Sequence, residues 1–147
     1  MTTDPVELAH LAAGDGPFTV FCTYASLPVL TAAHRVHGMR PWDLAVVDEA
    51  HRTAGLLGKA WGALHHDTDI PAARRLYMTA TPRIIDSDDS VLASMDDESL
   101  YGPVVYCLDT GDAISAGLLA DYQIVVPVLA NCRGSFFLIG GRRAELG

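Results

Sequence analysis

The chain has 147 residues, half of them hydrophobic, and a net charge of −8. That length suits one domain, or a large piece of one, with a real apolar core. The acids crowd between Asp86 and Glu98, which argues against a freestanding nucleic-acid binder with a broad basic surface and leaves only local or assisted contact.

The first residues, Met-Thr-Thr-Asp-Pro, offer neither a basic start nor an apolar stretch, so no signal peptide is expected. After the turn at Gly14-Asp15-Gly16-Pro17, Phe18 to Cys22 reads as a strand. Ala25 to Val36 reads as a helix with Pro28 in its first turn. Leu44 to Val47 is a continuous apolar run, hence a buried strand entered after Pro41. Thr53 to Leu64 suits a helix weakened by its glycines, and Leu76 to Thr79 a short strand stopped by Pro82. Ser90 to Glu98 fits a short helix or an acidic loop, and Val104 to Leu108 a weaker strand. Gly111 to Leu119 looks helical, with Ala113, Ile114, Gly117 and Leu118 on one face. Ile124 to Leu129 is a β-branched run in which Pro127 favours a sheet edge. From Asn131 the pattern breaks, and residues 131–147 form a tail to which no role is assigned. Apolar strands alternating with helices predict an α/β fold, a parallel sheet with helices on both faces. Ligands of such sheets bind at the carboxyl ends of the strands.

The most informative string is Leu44-Ala45-Val46-Val47-Asp48-Glu49-Ala50-His51. An apolar strand runs into adjacent acids, a small residue and a histidine. Asp48, at the strand end, is placed to hold Mg²⁺ through water beside the phosphates of a nucleotide. Glu49 would then reach past the metal to orient or deprotonate an attacking water. His51 would relay the state of the terminal phosphate to its neighbours. The plain alternative is an acidic helix N-terminus stabilised by the helix dipole. Further along, Arg75-Leu76-Tyr77-Met78-Thr79-Ala80-Thr81-Pro82-Arg83 again ends a strand in small hydroxyl residues. Thr79 and Thr81 can hydrogen-bond across to the acids and histidine, or simply cap a turn.

Together these strings resemble motifs II and III of the superfamily 2 DEAD/DEAH-box helicases. Asp48-Glu49-Ala50-His51 matches the acidic box letter for letter, and Thr79-Ala80-Thr81 matches the Ser/Thr-Ala-Thr element. Thr23-Tyr24-Ala25-Ser26-Leu27 is similar to a Thr-Tyr-x-Ser-Leu segment that precedes the box in the branch related to restriction-enzyme helicase subunits. Gly117-Leu118-Leu119-Ala120-Asp121-Tyr122 resembles the segment leading out of the first motor domain in that branch. The resemblance spans residues 18 to 130. It implies a partial RecA-like fold, ATP and Mg²⁺ in the intact parent, and DNA or RNA as the track. It implies that Asp48 coordinates Mg²⁺ through water, that Glu49 is the catalytic base with His51 beside it, and that Thr79 and Thr81 couple hydrolysis to strand movement. It places Thr23 and Tyr24 at the nucleic-acid backbone, where hydroxyls meet phosphates without reading sequence; strand-end packing is the equal alternative for that pair.

The pattern departs from the family in one respect. No Gly-x-x-x-x-Gly-Lys-Ser/Thr loop, whose amides and lysine cradle phosphates, precedes Asp48. Gly55-Leu56-Leu57-Gly58-Lys59-Ala60 has the wrong spacing, follows the box and ends in alanine, so Lys59 reads as a surface residue. Residues 1–130 are therefore expected to be the C-terminal part of a first motor domain, inactive alone, with the loop elsewhere in a parent or on a separate chain. An incomplete sheet is expected to leave apolar surface open. Two other readings stay open: a degenerate segment that only binds nucleic acid or protein, and a different phosphohydrolase with an Asp-Glu metal site.

The remaining candidates have bland readings. Cys22, Cys107 and Cys132 lack metal-ligand spacing and read as reduced, buried or half-buried thiols in the cytoplasm. No apolar run reaches the ~18 residues that span a membrane. His34 and His37 read as a solvated helix face and His65-His66-Asp67 as a polar helix end. Arg74, Arg75 and Arg83 either meet phosphates or face solvent, and Trp42 and Trp61 pack.

Overall fold

The computed structural model describes residues 1–86 and 91–122. Two compact units divide the chain, Met1–Pro103 and Val104–Gly147. The first begins with a helix the sequence reading missed, α1 (Pro5–Leu11). Its signals are local: the Asp4 carboxylate accepts the Val6 N–H at 2.9 Å, and Pro5 sits in the first turn, where its missing N–H does no harm. A 3-10 turn (Tyr24–Ser26) opens directly into α2 (Leu27–Arg35), with Pro28 in the first turn as expected. Leu27, Leu30, Ala33 and His34 form the buried stripe of α2. The helix stops at Gly38, whose φ of +65° lets the Met39 N–H turn back onto the Ala33 carbonyl at 3.0 Å.

There follow β1 (Ala45–Val47), a 3-10 turn (Ala50–Thr53), β2 (Gly55–Leu56), a 3-10 segment (Ala60–His65), β3 (Arg75–Tyr77), β4 (Leu92–Ala93) and α3 (Glu98–Tyr101). β1 and β3 pair in parallel, Val46 opposite Leu76 and Val47 opposite Tyr77, and β2 pairs antiparallel with β4. The result is an α/β fold with a small parallel sheet and helices, consistent with a partial RecA-like arrangement. In the second unit, α4 (Thr110–Ser115) starts at an Asp109 cap and is followed by Gly117 at φ +72°, so it is shorter than the predicted helix. Residues 104–108, the weaker strand candidate, carry no regular element. The strand predicted at Ile124 to Leu129 and the tail lie outside the described residues. No helix among the described residues is long and apolar enough to cross a membrane.

The core joins Leu8 and Ala12 around α1, Leu27, Leu30 and Ala33 of α2, Met39, Val47 of β1, and Ala50, Leu64 and Ile70. α1 packs on α2, and α2 on the Ala60–His65 segment. Val47 and Tyr77 face this core. The other sheet face carries Leu44, Val46, Leu76 and Met78, which stay 37–54% exposed. The predicted burial of the Leu44–Val47 run therefore holds for one face only.

Two predicted elements take other forms. Phe18 to Cys22 has no ladder partner among the described residues, although Phe18 and Val20 turn onto the core and Phe18 stacks on Trp42 at 6.1 Å. The alternation encoded a pleat without a neighbouring strand to bond. Thr53 to Leu64 is not a helix. Gly55 adopts φ +109°, outside any helix, and Gly62 lies against the Leu57 carbonyl. From Val91 on, the acidic stretch forms the short β4 and then α3, capped by the Asp97 carboxylate on the Ser99 N–H. Cys22 and Cys107 are exposed free thiols, unlike the expected sheltered ones, because Cys22 follows a segment that lacks sheet neighbours. Cys132 lies outside the described residues.

His34 is buried, which overturns the solvated-face reading. Its Nδ1 is 3.1 Å from the Met39 carbonyl, its ring meets the Trp42 ring edge-on, and Nε2 finds no partner among the described residues. His65 sits between Tyr77 and Tyr101, with Nδ1 3.0 Å from the Tyr77 hydroxyl. Burial lowers the pKa of both rings below the ordinary 6.5, against an opposing backbone hydrogen bond in each case. The unfolded chain thus binds these protons more readily than the folded one. Their contribution to stability is complete above the unfolded pKa and is lost as pH falls toward the folded values. The urea midpoint is expected to drop between pH 7.5 and pH 5, and to drop less in a His34→Gln, His65→Phe double variant; parallel curves for the two chains would remove these rings as the cause. Gly62→Ala would put a methyl 2.0 Å from the Leu57 carbonyl oxygen. It is expected to lower unfolding free energy by at least about 2 kcal/mol, measured in urea.

Candidate active site

The parallel ladder sets the geometry. Beyond the paired residues, the Met78 N–H donates to the Val47 carbonyl at 2.8 Å, and the Ala50 N–H donates to the Met78 carbonyl at 2.8 Å. The register of β1 and β3 therefore runs on into both motifs and lays Thr79 beside His51, at the carboxyl ends of the strands. Ala50 is 0% exposed, so a larger side chain has no room between the acids and the histidine.

His51 Nδ1 lies 3.0 Å from Thr79 Oγ1, 3.3 Å from Thr81 Oγ1 and 3.3 Å from Glu49 Oε2. One ring nitrogen thus faces three oxygens, and it can donate to the carboxylate or accept from a hydroxyl according to its tautomer. The Thr81 N–H in turn donates to Thr79 Oγ1 at 3.2 Å. The side chains of Asp48 and Glu49 are exposed, and one Asp48 oxygen accepts the Glu49 N–H at 2.9 Å.

Glu49 has φ +52°, the sole positive value among the described non-glycine residues. A left-handed glutamate brings Cβ against the following carbonyl, a strain of about 1–2 kcal/mol that surrounding contacts must hold. Tyr24 supplies such a contact, since its hydroxyl donates to the Asp48 carbonyl at 2.7 Å and to the Glu49 carbonyl at 3.3 Å. The Tyr24 ring leans on Trp61 at 5.7 Å and lies under the Arg52 guanidinium at 5.9 Å. Burial pushes the Tyr24 phenol above its ordinary range, with Arg52 pulling the other way, so it remains a donor. Beside it, Thr23 Oγ1 and Ser26 Oγ are 3.3 Å apart.

All the residues singled out in the sequence occupy one neighbourhood: Thr23 and Tyr24, Asp48 to His51, Thr79 and Thr81. Arg75 and Arg83 bond elsewhere, to backbone carbonyls and to Asp67. Arg75 donates to the Leu64 and Ile70 carbonyls and to Asp67 at 2.6 Å, tying that loop to β3. The Arg75 N–H groups hold the Asp67 carboxyl below its usual range. Arg83 reaches the Ala54 carbonyl at 3.4 Å. The sequence reading missed Arg52 and the inward aim of the Tyr24 hydroxyl, because neither has a local signature. Tyr77 and Tyr101 were missed as well: with His65 they form a ring cluster whose Tyr101 hydroxyl is 3.0 Å from Thr53 Oγ1, under the turn that carries His51. Burial drives the Tyr77 phenol up to about 12.

Among the described residues no three His, Cys, Asp or Glu side chains gather as a metal cage. Mg²⁺ does not need one, since it keeps several waters and takes one or two carboxylates together with substrate phosphates. The exposed Asp48–Glu49 pair fits that demand. The triphosphate itself finds no phosphate-cradling loop in this sequence.

No family model matches the chain, and neither does any curated protein. Solved structures do match, among them the following two. A nuclease-deletion mutant of the Type ISP restriction-modification enzyme LlaGI, in complex with a DNA substrate mimic, is 35% identical over 82% of this chain, with a TM-score of 0.66. The ATP-dependent Type ISP restriction-modification enzyme LlaBIII, bound to DNA, is 33% identical over 69% of this chain, with a TM-score of 0.55. The chain spans 10% and 8% of their lengths.

At position 49, Glu49→Val is expected to unfold about 1–2 kcal/mol more easily than Glu49→Gly, since only glycine occupies the left-handed region without strain. Equal urea stabilities would argue against the left-handed turn. In both sequence and fold, the chain is similar to a segment of Type ISP restriction-modification enzymes, a likeness that supports a helicase-related fold.

Proposed function

We propose that this segment is part of an ATP-driven nucleic-acid translocase or helicase, residues 1–130 forming the C-terminal part of a first RecA-like motor domain and 131–147 a tail. The observation that carries the reading is the meeting of His51 with Thr79 and Thr81 beside an exposed carboxylate pair at the ends of parallel strands. The likeness to a segment of an ATP-dependent, DNA-bound enzyme supports it.

Asp48 would hold Mg²⁺ through water, which would supply charge stabilisation at the phosphates. Glu49 orients a water and takes its proton as that water attacks the terminal phosphate of ATP in line, while the bond from that phosphorus to the bridging oxygen breaks and ADP leaves with the electron pair. His51 reports the departure of that phosphate to Thr79 and Thr81 through the hydrogen bonds at Nδ1. Thr23 and Tyr24 belong to the segment facing the phosphodiester backbone of DNA or RNA. The phosphate-cradling loop comes from a longer parent or from a separate chain, and the setting is cytoplasmic.

A binding-only role is the second reading. Hydrolysis separates the two. This chain alone is expected to show no ATPase activity with or without single-stranded DNA. A parent containing it together with the loop is expected to show DNA-stimulated activity that Glu49→Gln lowers by about 100-fold or more. A parent indifferent to Glu49→Gln would favour the binding-only role. Glu49-dependent hydrolysis by the 147-residue chain itself would mean that phosphates are held without the loop.

A further inference from the structure

The translocase reading assigns Tyr24 to the nucleic-acid face, yet its hydroxyl is directed inward. It donates to two successive carbonyls, those of Asp48 and Glu49, at 2.7 and 3.3 Å. The peptide between those carbonyls belongs to the one described non-glycine residue in the left-handed region. That region is disfavoured for glutamate, so contacts from outside must hold the turn: the Met78 carbonyl accepts the Ala50 N–H at 2.8 Å on one side, and the Tyr24 hydroxyl holds the Asp48 and Glu49 carbonyls on the other. Within the turn, the Arg52 N–H also reaches the Glu49 carbonyl, at 3.0 Å. That bond is internal to the turn and opens with it, whereas the Tyr24 hydroxyl comes from 25 residues away. The phenol has little freedom to leave, being packed against Trp61 and under Arg52.

We propose that Tyr24 is a positioning residue, whose hydroxyl fixes the left-handed turn at Glu49 and thereby sets the direction of the Glu49 carboxylate. The same hydroxyl joins the Thr23–Ser26 turn to the carboxylate pair as one mechanical unit. Thr23 and Ser26 are its immediate neighbours, and their hydroxyls lie together at 3.3 Å. A displacement of that turn is therefore transmitted to Glu49 through a single side chain. The proposal rests on the translocase reading for the use of the carboxylate, but not for the hydrogen bond itself.

Amide hydrogen exchange of the 147-residue chain tests it, with Tyr24→Phe, Glu49→Gly and the double variant. Phenylalanine keeps the ring and its contacts and removes only the donor. Tyr24→Phe is expected to speed exchange at Ala50 and Arg52 about tenfold, the effect of one hydrogen bond, while the Met78 amide in the strand ladder is unchanged. In the Glu49→Gly background the acceleration is expected to shrink to about twofold or less, because glycine holds the left-handed conformation unaided. Equal acceleration at Met78 would show general loosening and overturn the proposal. So would an unchanged rate at Ala50, or the same acceleration in both backgrounds. No nucleotide enters this measurement, so its failure and the failure of the hydrolytic reading are separately visible.

Discussion

The ladder between β1 and β3 is the constraint on which the site depends. Parallel strands bring the same ends of two distant segments together, and here the pairing does not stop at the last strand residue. Met78 bonds to Val47 and Ala50 bonds to Met78, so the backbone crosses between motifs once more after the sheet has ended. A slip of one residue in this register would put Val47 and Tyr77 on opposite faces and move Thr79 away from His51. The burial of Val47 in the core opposes such a slip. Chemistry and packing are thus governed by the same few backbone hydrogen bonds.

Under that ladder lies a second support. His65, Tyr77 and Tyr101 pack ring against ring, and Tyr101 reaches Thr53 at the end of the turn that carries His51. Arg75 closes the loop from Leu64 to Ile70 against β3. These contacts pair the Tyr77 and Tyr101 hydroxyls and His65 Nδ1 with specific partners, which favours one arrangement of the turn over looser alternatives. The rings also carry a liability, since a histidine held neutral in apolar surroundings ties the support to pH.

What the sequence revealed and what it hid follow from how far each signal reaches. The apolar run ending in Asp48-Glu49-Ala50-His51 and the Thr-Ala-Thr string were legible because each is continuous in the chain. Pro28 correctly marked the first turn of α2. The predicted helix at Thr53 to Leu64 failed at Gly55, whose positive φ turns the chain into β2, and beyond it only Ala60 to Leu64 is helical, within the 3-10 segment. Phe18 to Cys22 failed as a strand because alternation says nothing about whether a neighbour exists to bond. α1 is too short, at seven residues, to show a helical period, although Asp4-Pro5 is a strong start signal. The inward hydroxyl of Tyr24 and the burial of His34 depend on tertiary partners and have no local pattern at all.

The sheet face formed by Leu44, Val46, Leu76 and Met78 has a colloidal consequence. An apolar strip beside strand edges that have no ladder partner among the described residues favours sticking between molecules. A net charge of −8 keeps like chains apart. That repulsion reaches roughly 30 Å in 0.01 M salt but only about 3 Å in 1 M salt, whereas the apolar attraction persists. Dilute buffer and concentrated brine therefore act on this chain in opposite senses: the first keeps it dispersed, and the second removes the barrier that holds the strips apart.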